Sequence, residues 1–156
     1  MPASVPIVVF QLAQQRYGLA LDQVERVLQA VAVTLLPDAP PVVLGVVNLR
    51  GTLVPVVDLR LRFGLARREV ELSDHLLVAA TQRRKLALLV EAVEGVVLAD
   101  SDSLVPRAGL GVSGELLSGV LKGPDGLTLI HDLETLLALD EEARLDAALS
   151  LAEQRA

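Results

Sequence analysis

Short apolar runs, each about as long as a β-strand, recur along the whole chain. They are rich in valine, leucine and isoleucine, and glycine, proline or charged residues separate them. Runs of this kind, bounded by turn-forming residues, predict strands rather than long helices. The clearest of them cover residues 7–12, 17–21, 46–49, 53–57, 75–81 and 85–90. The pattern therefore predicts a mainly β protein.

The stretch from residue 45 to residue 64 predicts a hairpin followed by a short helix. Arg50 and Gly51 lie between two of the apolar runs, and glycine adopts the positive φ of a tight turn without strain. Asp58 follows the second run, where its carboxylate can accept hydrogen bonds from the free N–H groups of a first helical turn. Gly64 is the predicted end of that helix.

The two halves of the chain share a pattern that indicates an internal duplication. Two sets of positions match at slightly different offsets: residues 10–12 and 24–25 with 79–81 and 93–94, and Gly45 and Asp58 with Gly119 and Asp132. Each half supplies about five short strands, which is enough for one small barrel. We therefore predict two five-stranded barrel lobes over about 7–66 and 74–139, and an exchange of strands between the lobes stays open.

The final segment, residues 140–156, predicts a helix that docks on a barrel by one face. Asp140 stands at its predicted start as the cap, and Glu141 and Glu142 follow in the first turn, where carboxylates interact favourably with the helix dipole. Farther along, apolar residues at helical spacing share one face: Leu145, Ala148, Leu149 and Ala152.

Composition and charge narrow the classes of partner and compartment. Hydrophobic residues make up 52% of the chain and only Phe10, Tyr17 and Phe63 are aromatic, so the core is expected to be mostly aliphatic. A net charge of −6 and the scarcity of aromatic residues argue against nucleic-acid binding. No apolar run reaches the roughly 20 residues of a membrane span, and the N-terminus lacks a secretory pattern. We therefore predict a cytosolic protein without direct membrane insertion.

Few side chains are available for catalysis. The chain has no cysteine, and His75 and His131 lack the spacing of a metal-binding motif. No serine stands in a G-x-S-x-G pattern, and the closely spaced glycines of residues 109–114 follow a predicted loop rather than a strand. Asp58 and Asp132 occupy equivalent positions in the repeat, which favours two structural caps over a catalytic pair. We predict no enzyme activity, no cofactor and no metal; a small hydrolase or metal-dependent enzyme is the alternative.

Arg50 allows two interpretations. An arginine in a turn is usually only solvated, but this one stands at a hairpin tip between apolar strands of an acidic protein, where it can pair with a partner's carboxylate. Four valines likewise fit either a core or an interface, and core is the preferred interpretation for each: Val24, Val27, Val96 and Val97.

The predicted hairpin also carries a family signature. Residues 45–51 read Gly-Val-Val-Asn-Leu-Arg-Gly, and residues 54–60 read Val-Pro-Val-Val-Asp-Leu-Arg. This resembles the G-x-x-N-x-R-G and P-x-x-D-L-R signature of the CheW family of chemotaxis coupling proteins, and the resemblance extends over nearly the whole chain. It implies a single CheW-like domain over residues 1–156, built from two SH3-like five-stranded β-barrels with short helices and a C-terminal helix.

The resemblance also implies a function, partners and contact residues. The function is that of a non-enzymatic scaffold, which couples methyl-accepting chemoreceptors to the histidine kinase CheA beside membrane-bound receptor arrays in the cytoplasm. Its partners are the cytoplasmic tip of the receptors and the regulatory domain of CheA, and contacts with other CheW-like domains of an array stay open. By position, the receptor-facing residues are Val24, Gly45, Arg50, Gly51 and Val96, and the residues that hold the hairpin in shape are Asn48, Pro55 and Asp58.

Two questions stay open within this family. A coupling protein of a non-flagellar chemosensory pathway, which controls pili or a second-messenger enzyme, is the alternative function. The second question concerns Arg26, because the family commonly has an acidic residue at this position. The cation predicts a different receptor preference.

Overall fold

The apolar runs form eleven strands in the part of the chain that a computed structural model describes, residues 4–29, 33–66, 68–100, 103–106, 117–123 and 126–155. The first half contributes β1 Ser4–Leu12, β2 Gln15–Ala20, β3 Val24–Gln29, β4 Val43–Leu49, β5 Thr52–Val57 and the short helix α1 Leu59–Arg62. The second half contributes β6 His75–Ala80, β7 Lys85–Val90, β8 Ala92–Asp100, β9 Leu104–Pro106, β10 Leu117–Gly123, β11 Gly126–His131 and the helix α2 Leu139–Arg155. The predicted mainly β fold is confirmed. The glycine-rich segment 109–114 lies outside the described residues.

Each sheet combines strands from both halves of the chain. In the described residues, one sheet has six strands in the order β8-β1-β2-β11-β10-β9, and the other has five in the order β3-β6-β7-β5-β4. The first hairpin of the first half, β1-β2, therefore lies among strands of the second half. Likewise, the first hairpin of the second half, β6-β7, lies among strands of the first half. The sequence left such an exchange open, and the two sheets do not coincide with the contiguous segments 7–66 and 74–139.

The two sheets repeat the same strand register. Parallel pairing of β5 with β7 places Val56 opposite Ala87, and parallel pairing of β11 with β2 places Ile130 opposite Gly18. Val56 and Ile130 are equivalent positions of the sequence repeat, and so are Ala87 and Gly18. The duplication read from the sequence is thus reproduced in the strand pairing.

A β-bulge with an ion pair recurs at the same place in both sheets. The extra residue is Glu25 in β3 and Glu94 in β8. Glu94 accepts two hydrogen bonds from the Arg16 guanidinium, at 2.6 and 2.8 Å, whereas Glu25 lies 3.3 Å from Lys85 Nζ. The hydrogen bonds from Arg16 hold the pKa of Glu94 below its usual range. The pair in the six-stranded sheet is therefore the tighter of the two.

Several strands are buried on both faces, which explains their unbroken apolar runs. In β1, Val8 and Phe10 face a core that both sheets share, whereas Ile7 and Val9 face the interior of the six-stranded sheet. The five-stranded sheet has a separate interior core made of Val47, Val54, Val56, Leu76, Val78 and Ala87. Burial of both faces requires apolar residues at consecutive positions, so strict alternation is absent.

The three aromatic residues and His131 stack within or beside the shared core. The Phe63 ring, just after α1, lies over the His131 ring with centroids 4.2 Å apart. Tyr17 stacks on Phe63 at 5.0 Å and on Phe10 at 5.8 Å. Burial raises the pKa of Tyr17. Phe10, Tyr17 and His131 belong to the six-stranded sheet, and Phe63 follows the helix after the five-stranded sheet, so the stack joins the end of α1 to the six-stranded sheet.

Glu91, between β7 and β8, adds a polar connection between the two sheets. Its Oε2 accepts a hydrogen bond from the backbone N–H of Ala13 in the β1-β2 turn, at 2.7 Å. Its Oε1 lies 2.5 Å from a guanidinium nitrogen of Arg60 in α1 and 3.5 Å from one of Arg68. One carboxylate thus links a turn of the six-stranded sheet to the helix that follows the five-stranded sheet.

Helix α2 covers the shared core, although it does not begin as predicted. The helix starts at Leu139, and the Glu141 carboxylate accepts a hydrogen bond from the Ala138 N–H at 2.9 Å. The prediction of Asp140 as the cap was therefore wrong, because a glutamate in the first turn reaches back to the preceding N–H group instead. The apolar face packs on the shared core as expected, through Leu145, Ala148, Leu149 and Ala152.

Gly45 permits a close backbone contact beside β4. Thr34 forms an isolated bridge with Val46, with N–H to O distances of 3.0 and 2.8 Å. The second half repeats this bridge where Val105 of β9 pairs with Val120 of β10. A Cβ atom on Gly45 would lie only 2.2 Å from the Thr34 carbonyl oxygen, so a side chain at this position would break the bridge.

We predict that Gly45→Ala destabilises the protein by roughly 1–3 kcal/mol, because the added methyl group must displace backbone rather than a flexible side chain. Urea unfolding measures the change. Gly123→Ala is the matched control, since the nearest atom to its new Cβ lies 3.6 Å away, and it should shift stability by about 0.5 kcal/mol at most. Coincident unfolding curves for wild type and Gly45→Ala would contradict the close contact.

We also predict that a fragment of residues 1–66 does not fold as a monomer. It contains β1-β2 without their neighbours β8 and β11, and its part of the shared core would face water. Circular dichroism with heating should show no cooperative transition. Coexpression with residues 67–156 should restore one, and a cooperative melt of the monomeric first fragment would refute the exchange.

Candidate functional site

The tip of the β4-β5 hairpin holds Arg50 in a fixed, exposed position. Arg50 and Gly51 have φ values of 52° and 87°, the two positive values of a type I′ turn. Asn48 Oδ1 accepts a hydrogen bond from the Gly51 N–H at 2.8 Å, which braces the turn from inside. The arginine side chain therefore projects from an ordered, hydrogen-bonded turn.

The base of the same hairpin is held by Pro55 and Asp58, both buried. Pro55 lies opposite Val46 in the β4-β5 pairing. Asp58 is the N-cap of α1, and its carboxylate accepts from the N–H groups of Arg60 and Leu61 at 3.1 and 3.4 Å. In the second half, Asp132 repeats this geometry with the N–H of Glu134, at 3.1 Å. Both aspartates are thus structural caps.

A shallow groove of about 200 Å³ lies beside the hairpin tip, and we call it the Arg50 groove. Four strands and the turn contribute to it, because β3, the β4-β5 hairpin and the start of β7 meet here. Its lining residues are Glu25, Arg26, Leu49, Arg50, Thr52, Val54 and Lys85. Lys85 belongs to the exchanged hairpin, so both halves of the chain build the groove.

The charge of the Arg50 groove is mainly positive. Lys85 and Glu25 form an ion pair at 3.3 Å, and their side chains are 51% and 38% exposed, so solvent screens their attraction. Arg26 and Arg50 are exposed, and within the described ranges neither side chain has an ion-pair partner. The groove can therefore offer two guanidinium groups to a ligand.

The structure groups some of the predicted receptor-facing residues and separates others. Arg50 and Gly51 form the exposed tip, and Val24 stands next to the groove residue Glu25 but is half-buried against the shared core. Gly45 is buried. Val96 lies in β8 of the six-stranded sheet, outside the lining of the groove, with 54% of its surface exposed.

The core interpretation was wrong for three of the four valines. Val27, Val96 and Val97 are 42%, 54% and 44% exposed, and the adjacent Leu98 is 70% exposed. The reason is their place in β3 and β8, which are edge strands: among the described residues, each has a neighbouring strand on one side only. An apolar run predicts burial by itself, and the sequence contains no separate signal for an edge position.

Lys85 was not predicted as part of the site. Its position at the start of an ordinary strand in the other half of the chain gives no chemical signal. The repeat could have indicated it, because Lys85 is equivalent to Arg16, and Glu25 is equivalent to Glu94. A cation facing the bulge glutamate in both halves is a pattern that becomes visible once the strand pairing is known.

Other chemistry considered from the sequence has no assembled site in the described ranges. No group of three or more His, Asp and Glu side chains there is arranged to hold a metal ion. His75 lies in β6 and His131 in β11, which belong to different sheets. In the same ranges, none of the helices combines the length and the apolar character needed to cross a bilayer.

Comparisons with known proteins agree with this architecture. The chain is similar to a solved structure of the scaffolding protein TtCheW from Thermoanaerobacter tengcongensis, with a TM-score of 0.79 and 32% identity, covering 90% of this chain and 96% of that one. It is 25% identical to the chemotaxis protein CheW of Treponema pallidum over 89% of this chain and 85% of the relative. The CheW protein of Klebsiella aerogenes is 26% identical, over 88% and 84%.

The family described as CheW-like domain matches residues 6–141, which include all strands of both sheets except the first two residues of β1. The match extends through the beginning of α2. The chain therefore belongs to the CheW-like domain family.

Proposed function

We propose that this chain is a non-enzymatic scaffold that couples methyl-accepting chemoreceptors to the histidine kinase CheA in chemotaxis signalling. Membership of the CheW-like domain family supports this role. So do the names of similar proteins, among them the chemotaxis proteins of Treponema and Klebsiella and the scaffolding protein of Thermoanaerobacter. The scaffold works in the cytoplasm beside membrane-bound receptor arrays.

The observation that carries the proposal is the exposed Arg50 guanidinium on a braced turn. A guanidinium binds a carboxylate through two parallel hydrogen bonds, which gives orientation as well as attraction. Asn48 and Gly51 fix the turn before any partner arrives, so little entropy is lost there on binding. Arg50 is thus suited to orient the cytoplasmic tip of a receptor.

The remaining receptor-facing residues have two different roles in this proposal. Gly51 and Val96 are exposed and can touch the receptor directly. Val24 is half-buried and Gly45 is buried, so they act by shaping the surface from below. The exposed apolar surface of β8, made of Val96, Val97 and Leu98, adds area that a partner can cover.

The second partner is the regulatory domain of CheA, and other CheW-like domains in an array can also bind. Coupling follows if receptor and kinase favour the same arrangement of this chain. A non-flagellar chemosensory pathway would use the same contacts for a different output. The receptor and kinase genes beside the gene for this chain distinguish these pathways.

We predict that Arg50→Asp weakens binding to the cytoplasmic hairpin of its receptor by about tenfold or more, because a cation at the contact becomes an anion. Aspartate tolerates a positive φ, so the turn and the melting temperature should be nearly unchanged. Isothermal titration calorimetry with a receptor fragment from the same genome measures the affinity.

Two controls distinguish a specific loss of receptor binding from a general effect of charge or folding. Arg144→Glu makes the same change of charge on an exposed position of α2 and should leave receptor affinity within about twofold of wild type. Binding to the CheA regulatory domain should persist in Arg50→Asp. A wild-type chain that binds neither partner would refute the coupling role, and equal loss of binding and folding would make Arg50 a structural residue.

A further inference from the structure

The Arg50 groove has an excess of cationic side chains in a protein that is acidic overall. Its described lining contains Arg26, Arg50 and Lys85 but only one carboxylate, Glu25, which lies 3.3 Å from Lys85. The whole chain has a net charge of −6. The positive charge is therefore confined to the groove, and the negative net charge of the whole protein repels extended polyanions such as nucleic acids.

In the part of the chain that the structure describes, the equivalent groove of the other sheet has no such excess. It has a volume of about 370 Å³, and its described lining includes two cations and two carboxylates. There Glu94 accepts two hydrogen bonds from Arg16. The other two charged residues of that lining are Asp100 and Lys122. The two grooves come from the same duplicated framework, so the difference in charge belongs to this one groove and not to the fold.

Arg26 and Arg50 come from different elements of the fold but line the same groove. Arg26 lies on β3 immediately after the bulge at Glu25, and Arg50 lies at the tip of the β4-β5 hairpin. Both side chains are exposed on the same groove. Because Glu25 is already engaged with Lys85, neither guanidinium is neutralised within the described part of the chain.

We propose that the Arg50 groove selects partners that present two carboxylates on one face, with Arg26 and Arg50 each binding one of them. This rests on the proposed function and adds a specificity: the receptor tip that binds this chain carries an acidic face. Arginine is suited to this task because its planar fork matches a carboxylate and stays charged at all relevant pH values. The second cation makes recognition depend on the spacing of the two acids and not on one contact.

The test uses the full chain and cytoplasmic hairpin fragments of the chemoreceptors from the same genome. Affinity is measured for wild type, Arg26→Glu and Arg26→Gln at low and at high salt. Arg26→Glu should weaken binding about tenfold, Arg26→Gln should weaken it less, and both should reduce the dependence on salt. Arg144→Glu on α2 makes the same change of charge away from the groove and should stay within about twofold of wild type.

A charge exchange then identifies the acidic face. Replacing single Asp or Glu residues of the receptor fragment with lysine should weaken binding to wild type and, at one position, restore binding to Arg26→Glu. If wild type binds the receptor and Arg26→Glu binds equally well, the acidic-face proposal is wrong while the coupling function stands. If wild type binds neither receptor fragment nor CheA regulatory domain, the coupling function itself is wrong.

Discussion

Parallel strand pairing between the two halves of the chain is the constraint on which this structure depends. Each sheet is complete only when the first hairpin of the other half is inserted, with Val56 opposite Ala87 in one sheet and Ile130 opposite Gly18 in the other. The inserted hairpins bury one face in a sheet interior and the other in the shared core. The aromatic stack and the hydrogen bonds of Glu91 then join the six-stranded sheet to α1 and Phe63, which follow the five-stranded sheet. Each sheet therefore contains strands from both halves of the chain.

The same constraint builds the surface that we propose for binding. The Arg50 groove takes Arg26 and Arg50 from the first half of the chain and Lys85 from the exchanged hairpin of the second. Lys85 engages Glu25 and thereby leaves the two arginines available. Gly45 admits the Thr34 bridge beside the hairpin, and Asn48 braces its tip. A partner therefore meets a preformed surface whose position depends on the arrangement of both sheets.

The local structure was predictable from the sequence because local rules govern it. Turn chemistry identified the Arg50-Gly51 tip, capping chemistry identified Asp58, and apolar runs located the main strands. The pairing of strands was not predictable, because it depends on contacts between residues far apart in the chain, and so the sequence left the exchange open. The exposure of Val96 and the place of Lys85 in the groove follow from that pairing, which explains why the apolar run of Val96 predicted core and why Lys85 was missed. Pro124, in the turn that corresponds to the Arg50 tip, lies outside the described residues.

The proposed joining of a receptor to a kinase by this chain can be tested with vesicles. Receptor cytoplasmic domains are attached to vesicles, and sedimentation of CheA is measured with and without this chain. We expect CheA to sediment with the receptor vesicles only when the chain is present, and we expect the chain itself to appear in the same pellet. Equal sedimentation of CheA without the chain, or a chain that stays in the supernatant, would contradict it.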